Sequence, residues 1–481
     1  MPRLEVTTSP SPAEATGPIQ LTVESLNTGW LRLKSVILPK QHTESTRFVQ
    51  RVGATFLIRV FLTVIGILTS IMIARLLGPE GRGIYAAAIV LGTIASQFGN
   101  LGMHTSNTYY VAKDQSLLPV LISNSLAASF LVGGAVSVAL LLLFTMRPAL
   151  SPVSGTVLYL VMGLAPALLG SLLAQNLLLG IHQVKWFNLV DLAGRIWFVL
   201  TCAAWALRFH TVTTEQVVAM TLASTLVTLV LAVGRLLFIA QRLPRPELAL
   251  LVEHFSYGVR PYLSSLAAYA VLKIDVLMVK NMAGSAATGY YSLASNMTDL
   301  LYMFPTVVCM MLFPSLLNIQ DFAQRWYRAQ KILTGVLCIM SLIALSAALV
   351  AKPLVALVYG EQYLPSVPPF LVLCCAIVFY GATSVISNYF ASCGQPWFSV
   401  WIWPAAAILN VGLNLYCIPR WGIVGAATSS LLTYSALFVT QYTYAHRYVK
   451  RHSAPNGAVL VGFSPSLSTT DLAGPQSTGG S

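Results

Sequence analysis

A few ionisable residues interrupt the long apolar segments of this chain, and they are the first candidates for chemistry. An ionised side chain at the depth of a lipid bilayer costs about 2.5 to 3.5 kcal/mol on insertion scales, so it has to face protein or water. The candidates are Arg59, Asp191, Arg195, Lys273, Asp275 and Asp299. Because they mix cations with carboxylates, they predict contacts to an anionic ligand, ion coupling, or pairing with one another.

The spacing of these residues distinguishes their expected roles. Asp191 and Arg195 stand four residues apart on one helix face, which predicts an ion pair and leaves Arg195 a secondary ligand candidate. Lys273 and Asp275 stand two apart and point to different faces, so each needs its own partner. Lys273 is either a ligand contact or half of an inter-helix salt bridge, and Asp299 is its partner or a coupling carboxylate. Asp275 is expected to pair across the two halves of the protein or to take part in ion or proton coupling.

Twelve apolar segments have to position these side chains. Each has about twenty residues or more, and a helix of that length crosses a hydrocarbon core roughly 30 Å thick. Their approximate ranges are 53–77, 83–104, 117–145, 155–178, 188–207, 215–239, 257–282, 290–316, 331–350, 366–391, 397–418 and 422–445. They are too continuously apolar for the alternating strands of a membrane barrel. We predict an all-α polytopic membrane protein with about twelve transmembrane helices in two six-helix lobes.

Composition excludes a water-soluble protein, and charge distribution argues against a nucleic-acid partner. The 481 residues are 56% hydrophobic and 9% charged, whereas a surface in water needs far more charge. The net charge of +13 follows from cations placed mainly on one side of the predicted helices. This asymmetry predicts that both termini are cytoplasmic.

The predicted inside connections are the more basic ones. They contain Lys40, Arg47, Arg51, Lys113, Lys185, Arg235, Arg242, Arg245, Arg260, Arg325, Arg328, Lys331, Arg447, Lys450 and Arg451. The predicted outside connections contain Arg75, Arg82, Arg147, Arg208, Lys280, Lys352 and Arg420.

Composition along the chain predicts five regions. Residues 1–45 form a disordered cytoplasmic leader, in which the stretch 30–38 is either an interfacial segment or unstructured. Two six-helix lobes, 46–240 and 257–447, flank a basic cytoplasmic linker at 241–256, and 448–481 form a disordered tail. The cysteines lack Cys-x-x-Cys spacing and the histidines are scattered, so we expect no metal site and no cofactor.

A short internal sequence repeat relates the two predicted lobes. Gly78 and Gly284, Gly83 and Gly289, and Tyr85 and Tyr291 are each 206 positions apart. An even number of helices separates the two copies, which predicts a parallel repeat about an axis normal to the membrane.

The sequence ARLLGPEGRGIYAAA at 74–88 resembles the opening hairpin of the polysaccharide-transporter branch of the MOP flippase superfamily. The sequence KIDVLMVKNMAGSAATGYYSLA at 273–294 resembles the matching hairpin of the later half, and GIVGAA at 422–427 a late motif. The resemblance spans roughly residues 50–447. It implies the MOP fold, with two lobes that alternate around a central cavity and move an undecaprenyl-diphosphate-linked oligosaccharide across the bacterial inner membrane.

The resemblance gives the charged residues a specific ligand. It implies that Arg59, Lys273 and, secondarily, Arg195 contact the diphosphate, for which the forked guanidinium is well suited. Arg59 has a second interpretation, because it lies close to Arg51 and could extend to the cytoplasmic headgroups. Expected partners are the lipid-linked oligosaccharide for O-antigen or exopolysaccharide synthesis, membrane lipids and other polysaccharide-assembly proteins.

Three alternatives stay open at this point. A membrane polymerase, ligase or glycosyltransferase would generally need a sizeable outer loop and a recognisable catalytic motif, which the sequence does not offer. A lipid II flippase of the same superfamily commonly has two additional helices. A multidrug exporter of the MATE branch should carry mainly acidic cavity residues, whereas this chain mixes Arg and Lys with Asp. We therefore expect a transporter of an anionic cargo and not an enzyme.

Overall fold

Helices make up all the regular structure of the described residues in the computed structural model. The backbone is described for residues 41–241 and 248–452, and the side chains for residues 61–241 and 262–452. The α-helices are α1 (Gln41–Asn100), α2 (Met103–Lys113), α3 (Leu118–Met146), α4 (Gly155–Gly180), α5 (Val184–Phe209), α6 (Thr214–Ala240), α7 (Leu248–Ala283), α8 (Ser285–Leu317), α9 (Phe322–Val358), α10 (Val367–Ser392) and α11 (Trp397–His452). Short 3₁₀ turns occupy Gln115–Leu117, Pro148–Leu150 and Glu361–Ser366.

Ten helices in this part of the chain are long and apolar enough to cross a membrane. Two of them, α1 and α11, contain a non-helical residue, Gly78 and Gly422 respectively, and each therefore joins two helical segments across a kink. These four segments correspond to four of the twelve predicted spans. The prediction of an all-α polytopic membrane protein is confirmed.

Several predicted boundaries are wrong because the helices extend beyond the apolar segments. α1 begins at Gln41 inside the predicted leader, and α7 begins at Leu248 inside the predicted linker. α11 continues to His452, so residues 448–452 are helical and not part of a disordered tail. Cations in the last turn of α11 interact favourably with its carbonyl end, which explains the extension. The rest of the leader and tail, including residues 30–38, and the linker residues 242–247 lie outside the described residues.

The apolar core is divided between the early and the late helices. We call residues 66–240 the first half and residues 262–452 the second half; the packing described here lies within the compact unit that begins at Gly66. Four clusters of buried apolar residues are built from side chains of the first half. One large cluster is built almost entirely from the second half and also contains Ala74 of α1.

The hairpins at Gly78 and Gly284 have the same turn. Gly78 has φ 66° and ψ −177°, and Gly284 has φ 89° and ψ 178°. This conformation is open to glycine and costly for other residues, which explains why both copies of the repeat have glycine here. The internal repeat in the sequence therefore corresponds to a shared backbone geometry.

The two hairpins also pack against each other reciprocally. A Cβ atom added to Gly83 would overlap the carbonyl oxygen of Ser285, and one added to Gly289 would overlap the carbonyl oxygen of Pro79. Pro79 and Ser285 are themselves 206 positions apart, so the contact obeys the approximate two-fold relation of the repeat. Nearby, the Tyr363 hydroxyl donates to the Ala74 carbonyl at 2.9 Å. This end of the bundle is closed by direct backbone contact between the halves.

Alanine at Gly83 or Gly289 is expected to separate the hairpins, because the new methyl group has no space in the closed contact. A single cysteine at Asn296, in a variant without the native cysteines, reports the change by its reaction with a water-soluble maleimide in oriented vesicles. Labelling from the side on which the hairpins lie should rise several-fold.

The matched control is Gly134→Ala, because nothing lies within 4 Å of a Cβ added at this position. It should leave labelling at the original level. Unchanged labelling in both hairpin variants would show that the glycine contact does not close this end.

Candidate functional site

A central cavity of about 350 Å³ lies between the two halves. The kinked helix α1 supplies one wall, and α7 and α8 supply the other. The polar or charged lining residues are Thr69, Ser70, Arg82, Tyr85, Tyr269, Lys273, Ser292, Ser295, Asn296 and Asp299. A volume of this order is typical of ligand sites.

Arg82 is the cation of the first half in the central cavity. It is only 3% exposed, and its guanidinium donates to the carbonyl of Ser70 at 2.8 Å and to the Ser70 hydroxyl at 3.1 Å. The guanidinium carbon also lies 5.8 Å from the centre of the Tyr359 ring. Among the described residues, the Nε of Arg82 has no hydrogen-bond partner, and the ion pairs found do not include Arg82. Arg82 is therefore a cation in the lining of the central cavity that no described carboxylate neutralises.

Two glycines fix the position of Arg82. A Cβ atom at Gly81 would lie 2.9 Å from the hydroxyl of Thr214, while Gly83 contacts the opposite hairpin. The backbone around Arg82 is thus held closely on both sides.

The sequence placed Arg82 in a connection between two helices, and the structure corrects this placement. The helical segment after Gly78 begins earlier than the predicted span at 83, so Arg82 lies within a helix and is buried. The sequence does contain a sign that the helix includes Arg82. Arg82, Tyr85 and Ile89 have helical i, i+3, i+7 spacing, and all three line the central cavity.

Lys273 and Asp299 form an ion pair in the wall of the same cavity. Lys273 Nζ lies 2.5 Å from a carboxylate oxygen of Asp299 and 3.3 Å from the Ser295 hydroxyl. The pair joins α7 to α8, which is the inter-helix salt bridge weighed for Lys273 from the sequence. The Asp299 side chain is 36% exposed, so a ligand in the cavity can reach the pair.

Asp275 is buried in the second half and is not part of the central cavity. It is 2% exposed, and its carboxylate accepts hydrogen bonds from the Tyr291 hydroxyl, the Ser430 hydroxyl at 3.1 Å and the backbone N–H of Val276 at 2.8 Å. The expected pairing across the halves is therefore wrong, because donors of the second half already satisfy this carboxylate. A space of about 20 Å³ has both Asp275 and Asp299 in its lining.

A second cavity, of about 370 Å³, lies within the first half, and we call it the first-half cavity. Asp191 and Arg195 line it and form the ion pair predicted from their spacing, at 3.3 Å. Gly66, Thr69 and Tyr85 line both this cavity and the central one, which makes the two spaces neighbours along α1.

The remaining predicted site residue, Arg59, lies in α1, but its side chain is outside the described residues. Over the part of the chain that the structure describes, there is no group of three or more His, Cys, Asp or Glu residues that could hold a metal ion.

Solved structures with the same fold are known. An inward-facing multidrug resistance MATE transporter of the MOP superfamily matches with a TM-score of 0.67 at 15% identity, over 82% of this chain and 96% of that one. The lipid II flippase MurJ, in an inward closed conformation, matches with a TM-score of 0.63 at 13% identity, over 82% and 87%. The helical bundle therefore has the fold of the MOP superfamily.

Sequence comparison gives the family. A model described as polysaccharide biosynthesis protein matches residues 48–320, and the chain belongs to this family. The resemblance noted in the hairpin sequences is confirmed. An uncharacterised membrane protein of Methanocaldococcus jannaschii is 22% identical over 211 residues, which span 43% of this chain and 42% of that relative.

We expect the Lys273–Asp299 pair to contribute to stability, which a double-mutant cycle measures. Either Lys273→Ala or Asp299→Ala leaves the other charge without its partner and should lower the melting temperature of the detergent-solubilised protein. The double variant should be less destabilised than the sum of the single variants, since contacting charges couple by about 0.5 to 3 kcal/mol. Strictly additive effects would argue that the two charges do not stabilise each other.

Proposed function

We propose that this protein is a flippase that moves an undecaprenyl-diphosphate-linked oligosaccharide across the bacterial inner membrane, for O-antigen or exopolysaccharide synthesis. The observation that carries the proposal is that the buried cation Arg82 lines the central cavity and has no carboxylate partner among the described residues. Membership of the polysaccharide biosynthesis family supports a saccharide cargo.

The diphosphate is bound by groups from both halves of the protein. Arg82 supplies directed donors from the first half, and Lys273 supplies a compact charge from the second. A diphosphate competes with Asp299 for Lys273, so binding can release this carboxylate. Arg59 remains a proposed contact on sequence grounds, and Arg195 a secondary one.

In the proposed transport cycle, alternating access depends on making and breaking the contact between the two hairpins. With both termini cytoplasmic, the hairpins at Gly78 and Gly284 lie on the outer side, and the Gly83–Gly289 contact closes the outer end of the cavity. Loading then occurs from the cytoplasmic leaflet, and separation of the hairpins releases the saccharide outside. Asp299 and the buried Asp275 are the proposed coupling carboxylates, because both line one small space that can hold a water or an ion.

Two other cargoes and one enzyme class compete with this proposal. Lipid II also carries a diphosphate, and a matching fold occurs in a lipid II flippase. A cationic drug is disfavoured, because Arg82 would repel it. A polymerase or ligase acting on lipid-linked sugars is disfavoured by the superfamily fold, in which the matched solved structures are transporters.

The test is flipping by the purified protein in proteoliposomes. The substrate is lipid-linked oligosaccharide purified from cells that lack the protein, in which this lipid should accumulate on the cytoplasmic leaflet. Arg82→Ala is expected to lower the initial flipping rate about tenfold or more, since a charge-assisted hydrogen bond contributes about 1.5 to 3 kcal/mol. Arg59→Ala and Lys273→Ala should also impair flipping.

The matched control is Arg147→Ala, which removes an exposed arginine in the connection after α3. It should flip at the original rate. Faster transport of lipid II or of a cationic dye than of the oligosaccharide lipid, or full activity of Arg82→Ala, would contradict the proposal.

A further inference from the structure

The first-half cavity differs chemically from the central cavity. Its ionic residues, Asp191 and Arg195, offset each other, so the charged lining contributes no net charge. The central cavity has Arg82 in addition to its own ion pair. A ligand that fills both spaces would meet positive charge in one and an uncharged polar surface in the other.

Hydroxyl groups on one face of α6 dominate the polar surface of the first-half cavity. Thr221, Ser224, Thr225 and Thr228 follow i, i+3, i+4, i+7 spacing and all line the space. The opposite face of α6 has exposed apolar residues such as Leu226 and Val230. The hydroxyl face is therefore turned away from the surface that meets lipid.

These hydroxyls present acceptors to the cavity. Each donates its proton to a carbonyl one turn back on the same helix, at 2.8 to 3.0 Å. Thr221 also accepts a hydrogen bond from the Tyr85 hydroxyl at 3.3 Å, whereas the oxygen lone pairs of Ser224, Thr225 and Thr228 stay open for donors from a ligand. The close approach of α5 allows this arrangement, because a Cβ atom at Gly194 would overlap the Thr228 hydroxyl.

The amide of Gln175 adds a hydrogen-bond donor to the lining of the first-half cavity. Gln175 lines the cavity from α4 and makes no hydrogen bond to another described side chain or backbone group, so its amide can donate and accept. A neutral surface of closely spaced acceptors and donors matches a molecule with many hydroxyl groups.

We infer that the first-half cavity is the saccharide subsite, which holds sugar residues while the diphosphate lies at Arg82 and Lys273 in the central cavity. This inference rests on the proposed function and deepens it. The shared border at Gly66, Thr69 and Tyr85 allows one lipid-linked ligand to occupy both spaces. Their separate volumes of about 370 and 350 Å³ are each typical of a ligand site.

The experiment compares binding of two lipids to the detergent-solubilised protein. One is the oligosaccharide lipid purified from cells that lack the protein, and the other is undecaprenyl diphosphate, which has no sugar. The double variant Ser224→Ala with Thr225→Val removes two acceptors at almost constant volume, and Gln175→Met removes the amide. Each should weaken binding of the oligosaccharide lipid about tenfold and leave binding of undecaprenyl diphosphate unchanged.

A matched control is the double variant Thr440→Val with Thr443→Val, which removes two exposed hydroxyls of α11 that also donate to their own helix. It should bind both lipids normally. The subsite inference would be overturned if the cavity variants bound both lipids equally more weakly, or if they bound both lipids normally. Failure of the unaltered protein to bind either lipid would overturn the proposed function as well, whereas Arg82→Ala should weaken both.

Discussion

Charge at the depth of a lipid bilayer must be satisfied by protein or water, and the arrangement of this bundle follows from that requirement. Lys273 and Asp299 satisfy each other between α7 and α8, and Asp275 is satisfied by hydroxyl and backbone donors. Arg82 differs from these residues, because its neighbours Ser70 and Tyr359 leave the Nε of the guanidinium without a hydrogen-bond partner among the described residues. An incompletely satisfied cation beside a cavity is costly in an empty site and favourable once an anion occupies it.

The same hairpin that carries Arg82 closes one end of the molecule. Gly81 brings the backbone against α6, and Gly83 brings it against the opposite hairpin, so the cation and the closure share a few residues. Movement of the hairpins would therefore change the surroundings of Arg82 directly. In the proposed mechanism this short segment links ligand binding to opening, and no long chain of contacts is needed between them.

The sequence predicted the helical membrane fold well, because apolar length and the glycine repeat at Gly78 and Gly284 are local signals. It also predicted the Asp191–Arg195 pair, since i, i+4 spacing alone brings the two together. It could not choose between the roles of Lys273, because the partner Asp299 lies on another helix. It misplaced Arg82, because an apolar window ends where a charge appears even when the helix continues. Which donors surround Asp275 depends on contacts with α8 and α11, for which the sequence has no short-range signal.

A structure of the protein with the oligosaccharide lipid bound tests the central claim most directly. The account predicts the diphosphate within hydrogen-bond distance of both Arg82 and Lys273, with Asp299 displaced from Lys273 and sugar residues extending toward Thr225. A diphosphate bound elsewhere, with Arg82 still held only by Ser70 and the Lys273–Asp299 pair intact, would contradict it.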